Sequence, residues 1–321
     1  MERLYSQLEK LAYNVKVKEL KNNFDVMHTG YMTNTDKGEK YIATYDDAKC
    51  YAFFRMASTT AVISKCLSYL PKEDSMTVLD LGAGTGASIL ACMDRHEKDF
   101  TQLNCVESSE NMLRVLRELI NDLEMPFGLQ CIKKDVIKND LSQYKSDIVL
   151  ASFSINEMNG KDRLKMLNKM WDLSNKYILL IEPGTPKAYR EMMEYKEYFI
   201  SMGGKILAPC QSEKCPIKEK LADDWCHFQI RLQRPNIESK IKGTSRNFED
   251  EKFTFLLVSK ITVENMTKDS RGIVIRRPIK QKGNISLTIC TNNNGIEHLI
   301  LSKKDGEIYK SAKKLSIGDF V

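Results

Sequence analysis

Val78-Leu79-Asp80-Leu81-Gly82-Ala83-Gly84-Thr85-Gly86 is the stretch whose reading decides the fold. An apolar run, Thr77 to Leu81, ends in three alternating glycines, and a helix-forming stretch follows from Ala87 to about Lys98. Strand, glycine-rich bend and helix in that order let a backbone approach a nucleotide-like ligand closely. Glycine tolerates positive φ and carries no side chain to hold the ligand off. A dinucleotide fold wants G-x-G-x-x-G/A, and Ala87 supplies that last place. Gly82-x-Gly84-x-Gly86 suits S-adenosylmethionine better. Asp80, two residues before the first glycine, favours the same donor, because a carboxylate there can face the ligand's ammonium group.

Outward from this bend, strands and helices alternate, the signature of a parallel sheet covered on both faces. Strands are predicted over 102–106, 128–132, 147–151 and 176–181. Helices are predicted over 109–123, 156–173 and 189–201. Ahead of the sheet, residues 1–72 read as a helical preface: a helix over 1–22, a polar loop over 23–44, and a longer helix over 46–70 ended by Pro71. A methyltransferase-like domain is expected over 73–262, with a Cys-, Pro- and charge-rich insertion at about 205–235. A late strand is predicted at 253–258. A basic β extension is expected over 263–321, with short strands at 273–276, 285–290 and 298–301. The fold class is therefore α/β, a Rossmann-like sheet of the class I S-adenosylmethionine methyltransferase type.

In such a sheet the ligand lies beyond the carboxyl ends of the strands. Asp80, Gly82, Ala83, Gly84 and Gly86 form the first part of the expected donor site. Glu107 ends strand two and can accept hydrogen bonds from ribose hydroxyls; Asp135 follows strand three and can accept from an adenine amino group. Ser152 opens the loop after strand four, with Asn156 and Glu157 as candidate catalytic groups. That loop, Ser152-Phe153-Ser154-Ile155, lacks the Pro-Pro pair common in enzymes that methylate exocyclic amines. Donor binding is expected; transfer is not established by these residues.

Composition bounds the rest. The 321 residues are 42% hydrophobic, enough for a packed core, and no apolar run approaches the length of a membrane span. Mixed acidic and basic residues after Met1-Glu2-Arg3-Leu4 resemble neither a secretory signal nor a transit peptide, so a cytoplasmic location is expected. Net charge is +6. Residues 205–321 hold 22 Lys+Arg against 14 Asp+Glu, and the preceding residues 27 against 29. A basic C-terminal part suits a polyanion partner, most simply nucleic acid. The expected phosphate contacts are Arg231, Arg234, Lys240, Lys242, Arg246, Arg276, Arg277, Lys280 and Lys282.

Nine cysteines are many for a reducing compartment, where metal ligands or buried thiols are the better expectation than disulfides. Cys50, Cys66, Cys92, Cys105 and Cys131 sit in apolar contexts and read as small hydrophobes. Cys210, Cys215 and Cys226 are different. Their spacings, C-x4-C and C-x10-C, are not zinc-ribbon knuckles, and Cys215-Pro216 is a pair familiar at iron–sulfur ligands. A tetrahedral site needs a fourth ligand, for which Cys290 and His227 compete.

At this point the chain resembles the small-ribosomal-subunit methyltransferase-like family, which has bacterial members and mitochondrial small-subunit assembly factors. The residues that carry the resemblance are Tyr51-Ala-Phe-Phe-Arg-Met, Leu79-Asp-Leu-Gly-Ala-Gly-Thr-Gly, Glu182-Pro-Gly-Thr-Pro, Leu207-Ala-Pro-Cys, Cys215-Pro, Asp224-Trp-Cys-His-Phe, Glu249-Asp-Glu-Lys-Phe and Gly318-Asp319. The resemblance implies S-adenosylmethionine and a [4Fe–4S] cluster as cofactors. It puts Cys210, Cys215, Cys226 and Cys290 in the ligand places, with zinc as the alternative metal. It implies the small ribosomal subunit or its precursor, through rRNA, as partner, with no membrane and a monomeric chain. Gln211-Ser212 departs from the family's Pro-His after the first cysteine, and the chain looks like a bacterial member. Three functions follow: an rRNA methyltransferase; a non-catalytic assembly factor that uses donor and cluster structurally; and, resting on Ala87, a nicotinamide-dependent reductase.

Overall fold

The computed structural model describes the chain except residues 14, 16–19, 22–41, 96–98, 211–213, 221–223, 264–269 and 292–294. Its residues group into two compact units, Met1–Ile181 with Arg231–Glu251, and Glu182–Ile230 with Lys252–Val321. Neither unit begins or ends at residue 72 or 262.

The first unit contains helices α1 (Glu2–Leu11), α2 (Tyr45–Leu67), α3 (Ala87–Met93), α4 (Glu110–Ile120) and α5 (Gly160–Leu173). Its strands are β1 (Met76–Leu81), β2 (Phe100–Glu107), β3 (Gly128–Lys133), β4 (Ser146–Ser152) and β5 (Ser174–Pro183), whose last two residues fall in the second unit. The strands run parallel in the order β3-β2-β1-β4-β5. This is the Rossmann-like sheet of the class I methyltransferase fold, and it is the predicted one. Strand order reverses at β1, so the crevice beyond the ends of β1 and β4 is the topological switch point, the place where sheets of this kind take their ligands. The inner strands are apolar nearly throughout because both of their faces are covered: Val78, Leu79, Leu81, Ile148, Val149 and Leu150 are all fully buried.

Helix boundaries depart from the sequence reading for identifiable reasons. α2 begins where the Thr44 hydroxyl and the Asp47 side chain form a reciprocal capping box. α5 begins at Gly160, not residue 156, because the Asn159 side chain caps it by accepting from the Asp162 amide. Asn156 and Glu157 therefore stay in the loop. α3 stops at Met93, short of Lys98, and α1 at Leu11; the rest of the predicted first helix and of the 23–44 loop lies largely outside the described residues.

The second unit carries α6 (Pro186–Ser201), β6 (Lys205–Ala208) and α7 (Pro216–Lys220). β7 (Phe228–Gln233) and β8 (Phe248–Ser259) pair with each other and pass from one unit to the other, with α8 (Asn236–Lys242) between them in the first unit. β6 pairs antiparallel with β8. A separate antiparallel sheet is built on β11 (Asn284–Thr291), flanked by β9 (Gly272–Val274), β10 (Ile279–Gln281) and β12 (Ile296–Ser302). Helix α9 (Gly306–Ala312) buries Tyr309 and Ala312 against Val274, Ile285, Leu287 and Ile289. The predicted β extension is present. β10 and α9 were not predicted, because Ile279-Lys280-Gln281 is too short and α9 too charged to show a periodicity. Among the described residues no helix is long and apolar enough to cross a membrane.

Candidate functional site

All three glycines of the bend have positive φ: +86° at Gly82, +56° at Gly84 and +90° at Gly86. They differ in what surrounds them. A Cβ at Gly82 would lie 2.9 Å from Ser154 Cβ, and one at Gly86 would lie 2.9 Å from Leu116 Cγ. At Gly84 the nearest atom would be Met112 Cε at 3.9 Å. Gly82 and Gly86 therefore serve packing, and of the three only Gly84 has room for a Cβ, at ordinary van der Waals distance from Met112. The loop amides are tied to the protein: Gly82 and Ala83 donate to the Val106 carbonyl at 2.9 and 3.0 Å, and Gly86 to that of Ala83 at 2.9 Å. Gly84 donates to Glu107 Oε2 at 3.0 Å. Glu107 also accepts from the Ser109 amide at 2.7 Å. The Ser108 hydroxyl donates to the same carboxylate at 3.4 Å. A carboxylate offers about four lone-pair sites, so these three donors leave capacity for one ligand hydroxyl.

Asp80 is 1% exposed. One of its oxygens accepts from the Ser88 hydroxyl of α3; the other, Oδ1, is buried with no hydrogen-bond partner among the described residues. Burial pushes its carboxyl up to about 7; the Glu107 charge adds to this and the Ser88 bond opposes it. Asp135 spends its carboxylate within its own turn, accepting from the amides of Ile137 and Lys138 at 2.9 and 3.1 Å. Against a burial cost, those amides and the Lys138 ammonium hold it below the ordinary carboxylate range.

Ser152 ends β4, half-buried. After it Phe153 adopts φ +54°, uncommon for an aromatic residue, with its amide donating to the Ile181 carbonyl at 2.8 Å. Asn156 Oδ1 is buried without a hydrogen-bond partner among the described residues. Over the Phe153 ring lies the guanidinium of Arg55, 5.2 Å from its centroid. Arg55 also donates to both carboxylate oxygens of Glu251, at 3.2 and 3.0 Å. One helical turn earlier, burial pushes the Tyr51 hydroxyl up to about 12; Arg55 opposes that shift, and the carboxylates of Glu157, Glu107 and Glu251 add to it. Tyr51, Arg55 and Glu251 are thus site residues that the chemical reading of the sequence missed. Their signal was the i,i+4 pair in Tyr51-Ala-Phe-Phe-Arg, which has no catalytic signature of its own.

The second unit holds the cysteines. Cys210, Cys215, Cys226 and Cys290 line one cavity together with Tyr189, Met193, Pro209, Lys214, Pro216 and apolar side chains of β8 and β9. The Tyr189 hydroxyl lies 3.1 Å from Cys215 Sγ. Burial raises the Cys210 thiol, opposed by the charge and hydrogen bond of the Lys196 ammonium. Burial also raises Cys226, with the other three sulfurs adding to it, and Cys290 reaches about 12. Four thiols on one cavity are the donor chemistry of a soft metal centre. Among the described residues, no three or more Cys, His, Asp or Glu side chains stand in a metal-holding arrangement. His227 stacks on Trp225, ring centroids 5.4 Å apart, and is not among the cavity residues. Cys50, Cys66, Cys92 and Cys105 are buried, and Cys131 is half-buried.

Several of the expected phosphate contacts are engaged within the chain. Arg231 pairs with Asp250 at 2.6 Å, Arg234 with Glu238 at 3.1 Å and Glu249 at 3.3 Å. Lys242 pairs with Glu238 and, at 3.6 Å, Glu249; Arg276 pairs with Asp224.

The family profile described as "Mitochondrial small ribosomal subunit Rsm22" matches residues 45–321. The human protein "Ribosome assembly protein METTL17, mitochondrial" is 24% identical over 268 residues, 78% of this chain and 56% of that protein. "Rsm22-cox11 tandem protein 2, mitochondrial" of Schizosaccharomyces pombe is 20% identical over 292 residues, 76% of this chain and 38% of that protein. The chain thus spans about half the length, or less, of these relatives. Among solved structures, magnesium protoporphyrin IX methyltransferase from Synechocystis PCC 6803 with bound S-adenosylmethionine is 10% identical, with a TM-score of 0.40, covering 76% of this chain and 97% of that one.

Proposed function

The chain belongs to the Rsm22 family, and from that premise we propose that it binds S-adenosylmethionine and acts in assembly of the small ribosomal subunit, through its rRNA. The observation that carries this reading is the family match over residues 45–321, which spans the glycine bend and all four clustered cysteines. Three local features support the donor. Gly84 is the uncrowded glycine of the bend, Glu107 keeps acceptor capacity, and Asp80 holds an orphaned buried oxygen that an ammonium group would satisfy. When bound, S-adenosylmethionine supplies an electrophilic methyl group. Glu107 would orient its ribose, and Tyr51, Arg55 and Phe153 would flank the acceptor side, with Asn156 and Glu157 as the candidate catalytic groups. Incubating a small-subunit precursor with labelled donor and this protein tests the enzyme reading; labelled rRNA is the expected result.

A second reading, a non-catalytic assembly factor, is favoured by the loop after β4. It lacks the Pro-Pro pair, and the Arg55 guanidinium already lies over the Phe153 ring. Intact donor binding with no label transferred to any precursor would select it.

We propose further that Cys210, Cys215, Cys226 and Cys290, four thiols lining one cavity, hold a [4Fe–4S] centre. Protein purified without oxygen should be brown and hold iron with acid-labile sulfide. Colourless protein with one zinc per chain would overturn this part of the reading.

A further inference from the structure

Between the end of α8 and the start of β8 the chain makes a short return, from Gly243 to Asn247. Gly243 closes α8 in the left-handed conformation, φ +60°. The Thr244 hydroxyl oxygen then accepts from the Arg246 amide at 3.2 Å, and the Arg234 guanidinium donates to the Arg246 carbonyl at 3.0 Å. This return walls an open depression of about 460 Å³ lined by Arg234, Lys242, Thr244, Ser245 and Arg246. Its lining is three cations and two hydroxyls, without a carboxylate or an aromatic ring. Glu238 and Glu249 hold two of the cations from outside that lining. Arg234 donates from Nε to Glu238 at 3.1 Å and from Nη2 to Glu249 at 3.3 Å. Lys242 pairs with Glu238 and, at 3.6 Å, with Glu249. A guanidinium carries five N–H and an ammonium three. Both cations therefore keep N–H groups unspent among the described residues while their ion pairs stay closed. Arg246 and Ser245 are exposed, and the Thr244 hydroxyl hydrogen is free to turn to a ligand because its oxygen is the acceptor in the turn.

We propose that this depression is a socket for one phosphate group of the RNA backbone, held by Arg246 and the hydroxyls of Thr244 and Ser245, with the spare N–H groups of Arg234 and Lys242 beside them. This rests on the rRNA reading above. Every side chain lining the depression can donate a hydrogen bond, and the free oxygens of a phosphodiester only accept. Glu238 and Glu249 cancel the charges of Arg234 and Lys242, so the net charge is that of Arg246, which matches the single negative charge of a phosphodiester. The same two carboxylates fix the cations in place before the ligand arrives, which lowers the ordering cost of binding. No ring in the lining can stack on a base, so the contact positions RNA and reads no sequence.

The test follows binding of an rRNA fragment to the full chain across a salt series. Ser245→Ala and Thr244→Val should each weaken binding about threefold or more and leave the salt slope alone, because each removes a hydrogen bond and no charge. Arg246→Gln should weaken binding further and flatten the slope by about 0.7, whereas Arg246→Lys should keep the slope. Inorganic phosphate should displace RNA from the parent protein better than chloride does at matched ionic strength, and should lose that advantage in Arg246→Gln. Hydroxyl variants that bind like the parent, with phosphate no better than chloride, would overturn the socket and leave the rRNA reading standing. Uridine monophosphate held more tightly than the fragment would point to a small phosphate ligand and overturn the RNA assignment. A parent protein that binds no RNA would overturn both readings. If Thr244→Val disturbs its turn, Ser245→Ala decides the matter.

Discussion

Gly86 and Gly84 look alike in the sequence and do different work. Alanine at Gly86 would keep φ near +90° and press its Cβ to within 2.9 Å of Leu116 and 3.1 Å of Ile89. Strain and overpacking together should cost about 2 kcal/mol or more. Alanine at Gly84 meets nothing closer than 3.9 Å, so only the backbone penalty applies, on the order of 1 kcal/mol. Urea melts of the two variants should rank Gly86→Ala as the less stable, while calorimetry should find donor affinity hit harder in Gly84→Ala. The reverse ranking would mean that Gly84, not Gly86, is the packing glycine. Asp80 gives a pH signature. Its folded value of about 7 lies above the ordinary 3.8, so the protonated form is the one folding favours. Its stabilising contribution is complete below about pH 4, declines as pH rises, and is gone above about pH 7. Asp80→Asn removes that dependence. The stability of the variant relative to the parent should climb between about pH 4 and 7 and then level off; a constant difference across that range would show that the carboxyl is not perturbed.

At the scale of elements, the tie between α2 and the start of β8 is a candidate for measurement. Arg55 and Glu251 meet in a two-pronged pair, their side chains 33% and 17% exposed. A double-mutant cycle with Arg55→Met and Glu251→Gln should return a coupling on the order of 1 kcal/mol in favour of the pair. A value near zero would assign the Arg55 position to Phe153 alone. The parallel strands were legible because burial on both faces writes continuous apolar runs, as in Ile178-Leu179-Leu180-Ile181. Helix ends were less so. Asn159 can cap a helix as easily as it can sit inside one, and only its bond to the Asp162 amide decides. Strand β8 was half hidden for another reason. Its first residues, Phe248-Glu249-Asp250-Glu251, carry carboxylates committed to Arg55, Arg231 and Arg234, and such charge reads as loop until its partners are known. The donor-site residues at strand ends were legible for the same reason as the strands. The acceptor-side group was not, because its members come from separate stretches of chain that no spacing connects.

For the whole molecule, net charge overstates what is available to RNA. Of the nine basic residues expected to touch phosphate, Arg231, Arg234, Lys242 and Arg276 are paired with carboxylates. Lys240, Arg246, Arg277, Lys280 and Lys282 have no carboxylate partner among the described residues, although Lys280 donates to the Lys313 carbonyl and Arg246 lies over the Phe248 ring. A phosphate must compete with an existing ion pair for the first set and only with water or a neutral group for the second, so counterion release should follow the second set. For a single strand the slope of log affinity against log salt is about −0.7 per phosphate neutralised, which gives about −3.5 for five contacts and about −6 for nine. Filter binding of rRNA fragments across a salt series should give the shallower value. Lys282→Gln should flatten it by about 0.7, whereas Arg231→Gln should lower stability and leave the slope unchanged. A parent slope near −6 would mean that the carboxylate pairs open on binding and that the basic surface is rebuilt by the RNA; a slope near zero would remove phosphate contact from the mechanism altogether.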